Sequence, residues 1–252
     1  MTRCPTCGDE YDRLAQHWAV GACECPSVPD GWIETITGVL MGDGTIHRPD
    51  SARNARRQVT NVSRSFLEWL DERLDRSSTG VSLWRTSAEI AEENARSSHE
   101  RFSSLAYDGR DQYVLSTRRH PVLNQFVSWY DDGDRRFPHD LEPTPYILKQ
   151  WCVCDGSPPW GTAGHQRPSL RMSCPNAADR PSRVAAPFED TPLSPSINEE
   201  RITFNADEAE TFLDYVGSGQ TGYDDKFVTE RRAAYRTAKE TFYRTRTTTT
   251  DQ

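Results

Sequence analysis

The sequence predicts an α+β protein with an internal pseudo-repeat behind a small metal-binding module. Three observations carry this. Four ligand-type residues sit near the N-terminus at workable metal spacing. Two apolar helical stripes, on the order of a hundred residues apart, each end in Asp-Gly. Segments mixing arginine, amide and hydroxyl residues follow the stripes and read as strands.

Length and composition bound the possibilities. The chain has 252 residues, room for one substantial domain or two modest ones. A formal charge of -8 and a pI near 5.3 argue superficially against a nucleic-acid partner. The kind of cation weakens that objection: lysine is scarce and arginine common, and arginine pairs bidentately with phosphate and guanine. An acidic surface with few lysines also fits solubility in high salt, where attraction to DNA is screened and close contacts carry more of the binding. Mean hydropathy is low at -0.79, yet seven Trp, nine Tyr and nine Phe supply a core, so the chain is not read as disordered. Residues 1–30 are polar and lack the apolar stretch of a secretory signal. No apolar run approaches the ~20 residues of a membrane span. Cytoplasm is the expected compartment, where seven cysteines are thiols or metal ligands rather than disulfides.

The N-terminal segment reads Cys4-Pro-Thr-Cys7-Gly, then Leu14-Ala-Gln-His17-Trp, then Cys23-Glu-Cys25. A tight CxxCG turn presents two thiolates, and a short helix with Leu14 and His17 brings an imidazole to the same ion. Cys23 would close a tetrahedral zinc site, with Cys25 competing for the fourth position. A module over residues 1–30 buries too little apolar surface to fold unaided, so metal would supply the missing stability. Residues 3–25 resemble the short CCHC variants of the CCHH zinc finger.

From Gly31 the pattern changes. Ile33, Ile36, Val39 and Leu40 make a helical stripe, and Gly38 and Gly42 recur on the same helix. Glycine within a helix costs about 0.5–1 kcal/mol relative to alanine, so close approach of a second helix is its expected reason. The helix stops at Asp43-Gly44, where a carboxylate meets the negative end of the helix dipole and a bound cation would relieve it. A second helix starts at Pro145, carries Leu148, Trp151 and Cys152 on its stripe, and ends at Cys154-Asp155-Gly156.

Ile36-Thr-Gly-Val-Leu-Met-Gly-Asp43-Gly44 and Leu148-Lys-Gln-Trp-Cys-Val-Cys-Asp155-Gly156 both resemble the LAGLIDADG motif of homing endonucleases. Leu115 to Pro121, Trp129-Tyr130 and Asp140 to Leu148 look like the connector that leads into the second motif of single-chain members. Ile202-Thr-Phe, Phe212 to Gly217 and Tyr223-Asp-Asp-Lys226-Phe227 look like the family's closing strand, helix and tail. The resemblance spans residues 31–228, with halves at about 31–135 and 140–228 and a basic, partly disordered tail at 229–252. It implies two αββαββα-like halves about a pseudo-twofold axis, whose four-stranded sheets form a β-saddle that reads the major groove of double-stranded DNA. It also implies that Asp43 and Asp155 hold catalytic magnesium above the scissile phosphates of a monomeric endonuclease.

The motifs depart from the pattern in places. Met41 and Cys154 stand where polar or acidic residues are common. Gln150 replaces the small residue of the helix contact, which asks Gly38 to supply the close approach. Pro181 and Pro187 are expected to break the amphipathic helix of residues 177–195.

Several strand residues are candidate DNA contacts: Arg53, Arg56, Arg57 and Gln58 on one segment, Arg85 on another, Arg167 and Arg171 on the counterpart after the second motif. Gln58 and Arg171 are also expected near the metals. Phe66 to Leu74 reads as an amphipathic core helix, and the charged, serine-rich Ser87–Ser104 as a solvated insertion or loop. Cys152 and Cys174 read as small core residues. With Met at its start and Thr-Asp-Gln at its end, the chain is read as free-standing rather than as a protein-splicing element. The leading function is magnesium-dependent cleavage of double-stranded DNA. The alternatives are a catalytically inactive DNA-binding regulator and an RNA-binding splicing factor on the same scaffold.

Overall fold

The protein was analysed as a computed structural model, which describes residues 1–4, 7–12, 14–19, 28–29, 31–96, 109–131, 134–138, 141–157, 169–174, 181–198, 201–217, 219–227, 237 and 240. The chain divides into two compact units, Met1–Trp32 with Asp43–Ser128, and Ile33–Gly42 with Trp129–Gln252. No helix among the described residues is long and apolar enough to cross a membrane.

The first unit opens with a hairpin of β1 (Thr2–Arg3) and β2 (Glu10–Tyr11), followed by the short helix α1 (Leu14–Ala19). After the helix α2 (Trp32–Leu40) come β3 (Gly44–His47), β4 (Arg56–Asn61), α3 (Arg64–Leu74), β5 (Ser78–Arg85), α4 (Ser87–Arg96) and β6 (Gln112–Thr117). The four strands pair antiparallel in the order β3-β4-β6-β5. Helix α3 starts where the Ser63 hydroxyl accepts the Phe66 amide, and its Phe66, Leu67, Leu70 and Leu74 are buried on the helical stripe that the sequence shows. It packs on β5 and β6.

The solvated insertion or loop expected over Ser87–Ser104 is corrected in its first part: Ser87–Arg96 form a solvated helix, α4, because Thr86 and Glu89 make a reciprocal cap in which the Glu89 carboxylate accepts the Thr86 amide and the Thr86 hydroxyl accepts the Glu89 amide, while residues 97–104 lie outside the described residues. Ile90 is buried on that helix and its neighbours Glu89, Ala91, Glu92 and Glu93 are exposed.

In the second unit the α2 segment packs with a later helix, α5 (Pro145–Asp155). Thr144 caps α5 through its hydroxyl, and Pro145 occupies the first turn, where its missing N–H is not needed. A Cβ on Gly38 would lie 2.5 Å from the Gln150 Cβ and 2.7 Å from the Ile147 carbonyl oxygen, and one on Gly42 would collide with the Cys154 Cβ. The two glycines are therefore what lets the helices touch, and Gly38 gives way to the bulk of Gln150 as expected. Gln150 is fully buried and donates to the Gln220 side chain at 2.8 Å. The hairpin of β7 (Tyr130–Asp131) and β8 (Asp134–Arg135) precedes α5.

After α5 come β9 (Gly156–Ser157), β10 (Leu170–Ser173), α6 (Pro181–Ala185), β11 (Ser196–Asn198), β12 (Arg201–Phe204) and α7 (Ala206–Val216). These strands pair antiparallel as β9-β10-β12-β11. Counted from the first strand, both sheets run 1-2-4-3, so the pseudo-repeat extends to strand order. As the prolines lead one to expect, no long helix runs through the described residues 181–195: α6 spans only Pro181–Ala185, a one-turn 3-10 segment with Pro187 follows, and Val184, Phe188 and Leu193 reach the core. The architecture is α+β, with a four-stranded antiparallel sheet in each unit.

Candidate metal centre and nucleic-acid interface

Cys4, Cys7 and His17 converge at the N-terminus, their ligand atoms all within 4.8 Å of one another. The hairpin supplies the turn: the Gly8 amide donates to the Cys4 carbonyl at 2.9 Å, and Gly8 takes φ 80°, a conformation glycine adopts without strain. Helix α1 then places His17 Nε2 3.5 Å from Cys7 Sγ. A tetrahedral zinc with ordinary Zn–S and Zn–N bonds separates its S and N ligands by about 3.6 Å, so the donors fit that ion. The surroundings fix the ligands. The Trp18 indole N–H donates to Cys4 Sγ at 3.4 Å, and the Tyr11 ring stacks on His17 with centroids 3.7 Å apart. This group could hold a metal. Cys23 and Cys25, the candidate fourth ligands, lie outside the described residues.

The aspartates of the two motifs have different surroundings. Asp43 follows the end of α2 and directly precedes β3. The Asn61 Nδ2 donates to its Oδ2 at 2.6 Å. Asn61 cannot present its oxygen there instead, because its Oδ1 accepts the Ser63 amide at 2.7 Å. Asn61 was not singled out from sequence; it ends the strand that pairs with β3, and that placement is the signal.

Asp155 ends α5 and directly precedes β9. An Arg135 nitrogen lies 3.6 Å from its carboxylate, and both side chains are mostly buried. Burial pushes the Asp155 carboxyl above the usual carboxylate range, against the opposing pull of Arg135 and Lys226. The sheet registers align the two halves. Gly44 faces Val59 and Gly156 faces Met172, so the position of Asn61 corresponds to Cys174. Burial raises the Cys174 thiol to about 12 and the fully buried Cys152 to about 11. Both are protonated core residues at neutral pH, as the sequence suggests, and not nucleophiles.

Protein cations also cap both motif helices. Arg135 Nη1 donates to the carbonyls of Leu40 and Gly42 at 2.6 and 2.7 Å. Lys226 Nζ donates to the carbonyls of Cys152, Val153 and Gly156 at 3.2, 2.7 and 2.8 Å. The dipole penalty that seemed to call for a bound metal is thus met in part by side chains. Lys226 belongs to the segment matched to the family's tail, whereas Arg135 gave no sequence signal.

The register sorts the strand residues by face. In the first sheet Thr45 faces Gln58, His47 faces Arg56, and Gln58 faces Ser116, so these side chains share one polar face with Thr60, Val114, Gln112 and Ser82. Arg57 is corrected: it is 1% exposed, because the alternation turns it to the inner face with Val59 and Asn61. Arg85 joins the polar face opposite Gln112, and Arg53 is exposed in the loop before β4. In the second sheet Arg171 faces both Ser157 and Thr203, and Ser173 faces Arg201. This polar face gains Arg201 and Asn198, which sequence reading missed for lack of a strand boundary. Arg167 lies outside the described residues.

Three comparisons place the chain among known proteins. The sequence matches no known family profile. It is 46% identical over 48 residues to an uncharacterized protein of Methanocaldococcus jannaschii, a stretch that spans 19% of each chain. The fold is similar to that of the homing endonuclease I-WcaI bound to its DNA recognition sequence, with a TM-score of 0.59 at 12% identity, covering 88% of this chain and 92% of that one.

Proposed function

We propose that the chain is a site-specific, metal-dependent double-stranded DNA endonuclease of the LAGLIDADG homing-endonuclease kind, acting in the cytoplasm as a monomer. One observation carries the reading most: each motif aspartate stands between an apolar helix and the first strand of a sheet, and the two sheets share the strand order 1-2-4-3. Paired half-sites in one chain suit the two strands of a duplex. The organisation that follows is a finger over residues 1–30, an endonuclease-like domain over 31–228 and a basic tail at 229–252.

In this reading Asp43 and Asp155 would hold divalent magnesium at the scissile phosphates. Their carboxylates are the hard donors that such an ion takes. Bound there, magnesium lowers the pKa of a coordinated water and stabilises the leaving oxygen. Asn61 orients the Asp43 carboxylate, and Arg135 and Lys226 neutralise the helix ends beneath the phosphates. The polar sheet faces, with Arg56, Gln58, Arg85 and Arg171 and the nearby Arg53, read base edges and phosphates. Zinc held by Cys4, Cys7 and His17, completed by Cys23 or Cys25, is structural.

A second reading, a DNA-binding protein that does not cut, is favoured by one observation. Arg135 already lies 3.6 Å from Asp155 and competes with a metal for that carboxylate. Duplexes selected from a randomised pool by the wild-type protein separate the two. Incubation with magnesium or manganese should linearise a plasmid carrying the selected site. Tight binding without any cut in either metal would establish the second reading.

A further inference from the structure

We propose that Trp84 is a DNA-contacting residue, which a β-bulge turns onto the polar face of the first sheet to lay its ring against the duplex; this rests on the DNA-binding reading above. Burying a large aromatic is strongly favourable, and Trp18, Trp32, Trp129 and Trp151 are all buried. Trp84 is instead 50% exposed. It sits on β5, an edge strand of its sheet.

The register explains which way it faces. Ser82 pairs with Val114 and Leu83 with Tyr113, but Arg85, not Trp84, pairs with Gln112. The strand carries one extra residue there. Trp84 follows Leu83 by ordinary alternation and so shares the face of Ser82. Arg85 shares that face as well, because its partner Gln112 lies on it. The bulge therefore places an indole and a guanidinium side by side on the polar face, which is how bulges re-aim side chains.

The company Trp84 keeps selects its partner. The paired positions on that face carry Thr45, His47, Arg56, Gln58, Thr60, Ser82, Arg85, Gln112, Val114 and Ser116, and not one carboxylate, in a chain of net charge -8. Acidic side chains do approach it from α4: Glu93 lies 2.6 Å from Arg85 in an exposed pair that a phosphate can displace, and Glu89 also feels the charge of Arg85. Leu83 is also exposed, at 53%, but on the opposite face, so the two residues do not form one apolar patch for a protein partner. An isolated ring on a face whose paired strand positions carry arginine and no carboxylate suits a groove of DNA. Its face covers deoxyribose or a thymine methyl, and its Nε1–H reaches an acceptor.

The test uses the full-length protein and duplexes of about 30 base pairs selected from a randomised pool by the wild type. Trp84→Ala should raise Kd about tenfold, with Trp84→Phe within about threefold of wild type. The Trp84 emission, isolated as wild type minus Trp84→Phe, should become protected from iodide when duplex is added. Circular dichroism confirms that the variants fold, and Arg56→Ala reports the polar face independently. Unchanged affinity in Trp84→Ala together with a Trp84 signal still open to iodide overturns the proposal while leaving the DNA reading intact. Loss of self-association in Trp84→Ala at unchanged DNA affinity overturns it in favour of a second copy on that edge. Failure of the wild type to bind any duplex overturns both.

Discussion

The two units have the same sheet order and treat their motif aspartates differently. In the first, a neutral amide whose orientation is fixed donates to Asp43. In the second, the equivalent strand position is a buried thiol, and Asp155 meets a guanidinium instead. Two carboxylates at equivalent positions thus have different neighbours, a fixed amide beside Asp43 and a guanidinium beside Asp155, and a reaction that uses both can show it strand by strand.

The largest effect should come from the aspartates themselves. On the proposed reading, Asp43→Asn or Asp155→Asn should each reduce double-strand cleavage of a selected site by a factor of about 100 or more, because an incomplete carboxylate set would lose the ion that activates water. Binding in a gel shift should survive, since a negative charge near phosphate is removed. The asymmetry predicts that the two variants leave nicks on opposite strands and that, in the wild type, the strand served by Asp155 is cut more slowly. Equal rates on both strands would break the comparison.

Helix packing gives the next largest effect. Gly38→Ala should destabilise the protein by about 1–3 kcal/mol in urea unfolding, because the new methyl meets backbone and cannot be accommodated by a rotamer change. Gly80→Ala in the first unit is the matched control. Nothing lies within 4 Å of its Cβ position, so its cost comes only from φ 86° and amounts to about 1 kcal/mol.

The buried carboxylate should reveal itself through pH. The folded-state pKa of Asp155 is raised, so the folded protein binds its proton more tightly than the unfolded chain does. Its burial penalty is absent in acid, appears as pH rises through the unfolded value near 3.8, and is complete above the folded one. Asp155→Asn should therefore match wild-type stability at the acid end and exceed it at neutral pH. Melting curves at several pH values check this. An advantage that shrinks toward neutral pH would mean that the attraction of Arg135 outweighs burial.

Much of this was legible in the sequence, and the failures have physical reasons. Periodicity gave α2, α3 and α5, since each buries a continuous stripe, and the CxxC spacing gave the N-terminal cluster. Arg57 was misplaced because a strand's two faces differ by one residue, and a run such as Arg56-Arg57-Gln58 carries no mark of which residue turns inward. Arg135 and Asn61 act on residues far away in sequence and have no local signature. The start of α4 does carry a local mark, since Thr86-Ser-Ala-Glu89 has the spacing of a capping box ahead of a charged, serine-rich continuation.

That capping box yields the finest contrast between the units, because each has one. Glu89 caps α4 with Thr86, and Glu208 caps α7 with Asn205. Removing either carboxylate deletes the same kind of bond to the cap amide. What the helix packs against decides where the loss appears. Helix α7 buries Ala206, Ala209, Phe212, Leu213 and Val216, so it cannot fray without opening the core of its unit. Glu208→Ala should accordingly lower the global unfolding free energy by about 1 kcal/mol. Helix α4 carries Ile90 alone as a buried residue among those described, so its first turn can open by itself. Glu89→Ala should leave the global midpoint nearly unchanged and speed amide exchange within residues 87–96. The cap interaction holds Glu89 below the usual carboxylate range, led by its bond to the Thr86 backbone. Its stabilisation is therefore present above the unfolded pKa and is lost as pH falls through the folded one. Exchange in α4 of the wild type should rise toward the variant's rate in acid, and the two should converge there. If Glu89→Ala instead shifts the global midpoint as far as Glu208→Ala does, α4 is an integral part of its sheet, and the two units are more alike than their burial suggests.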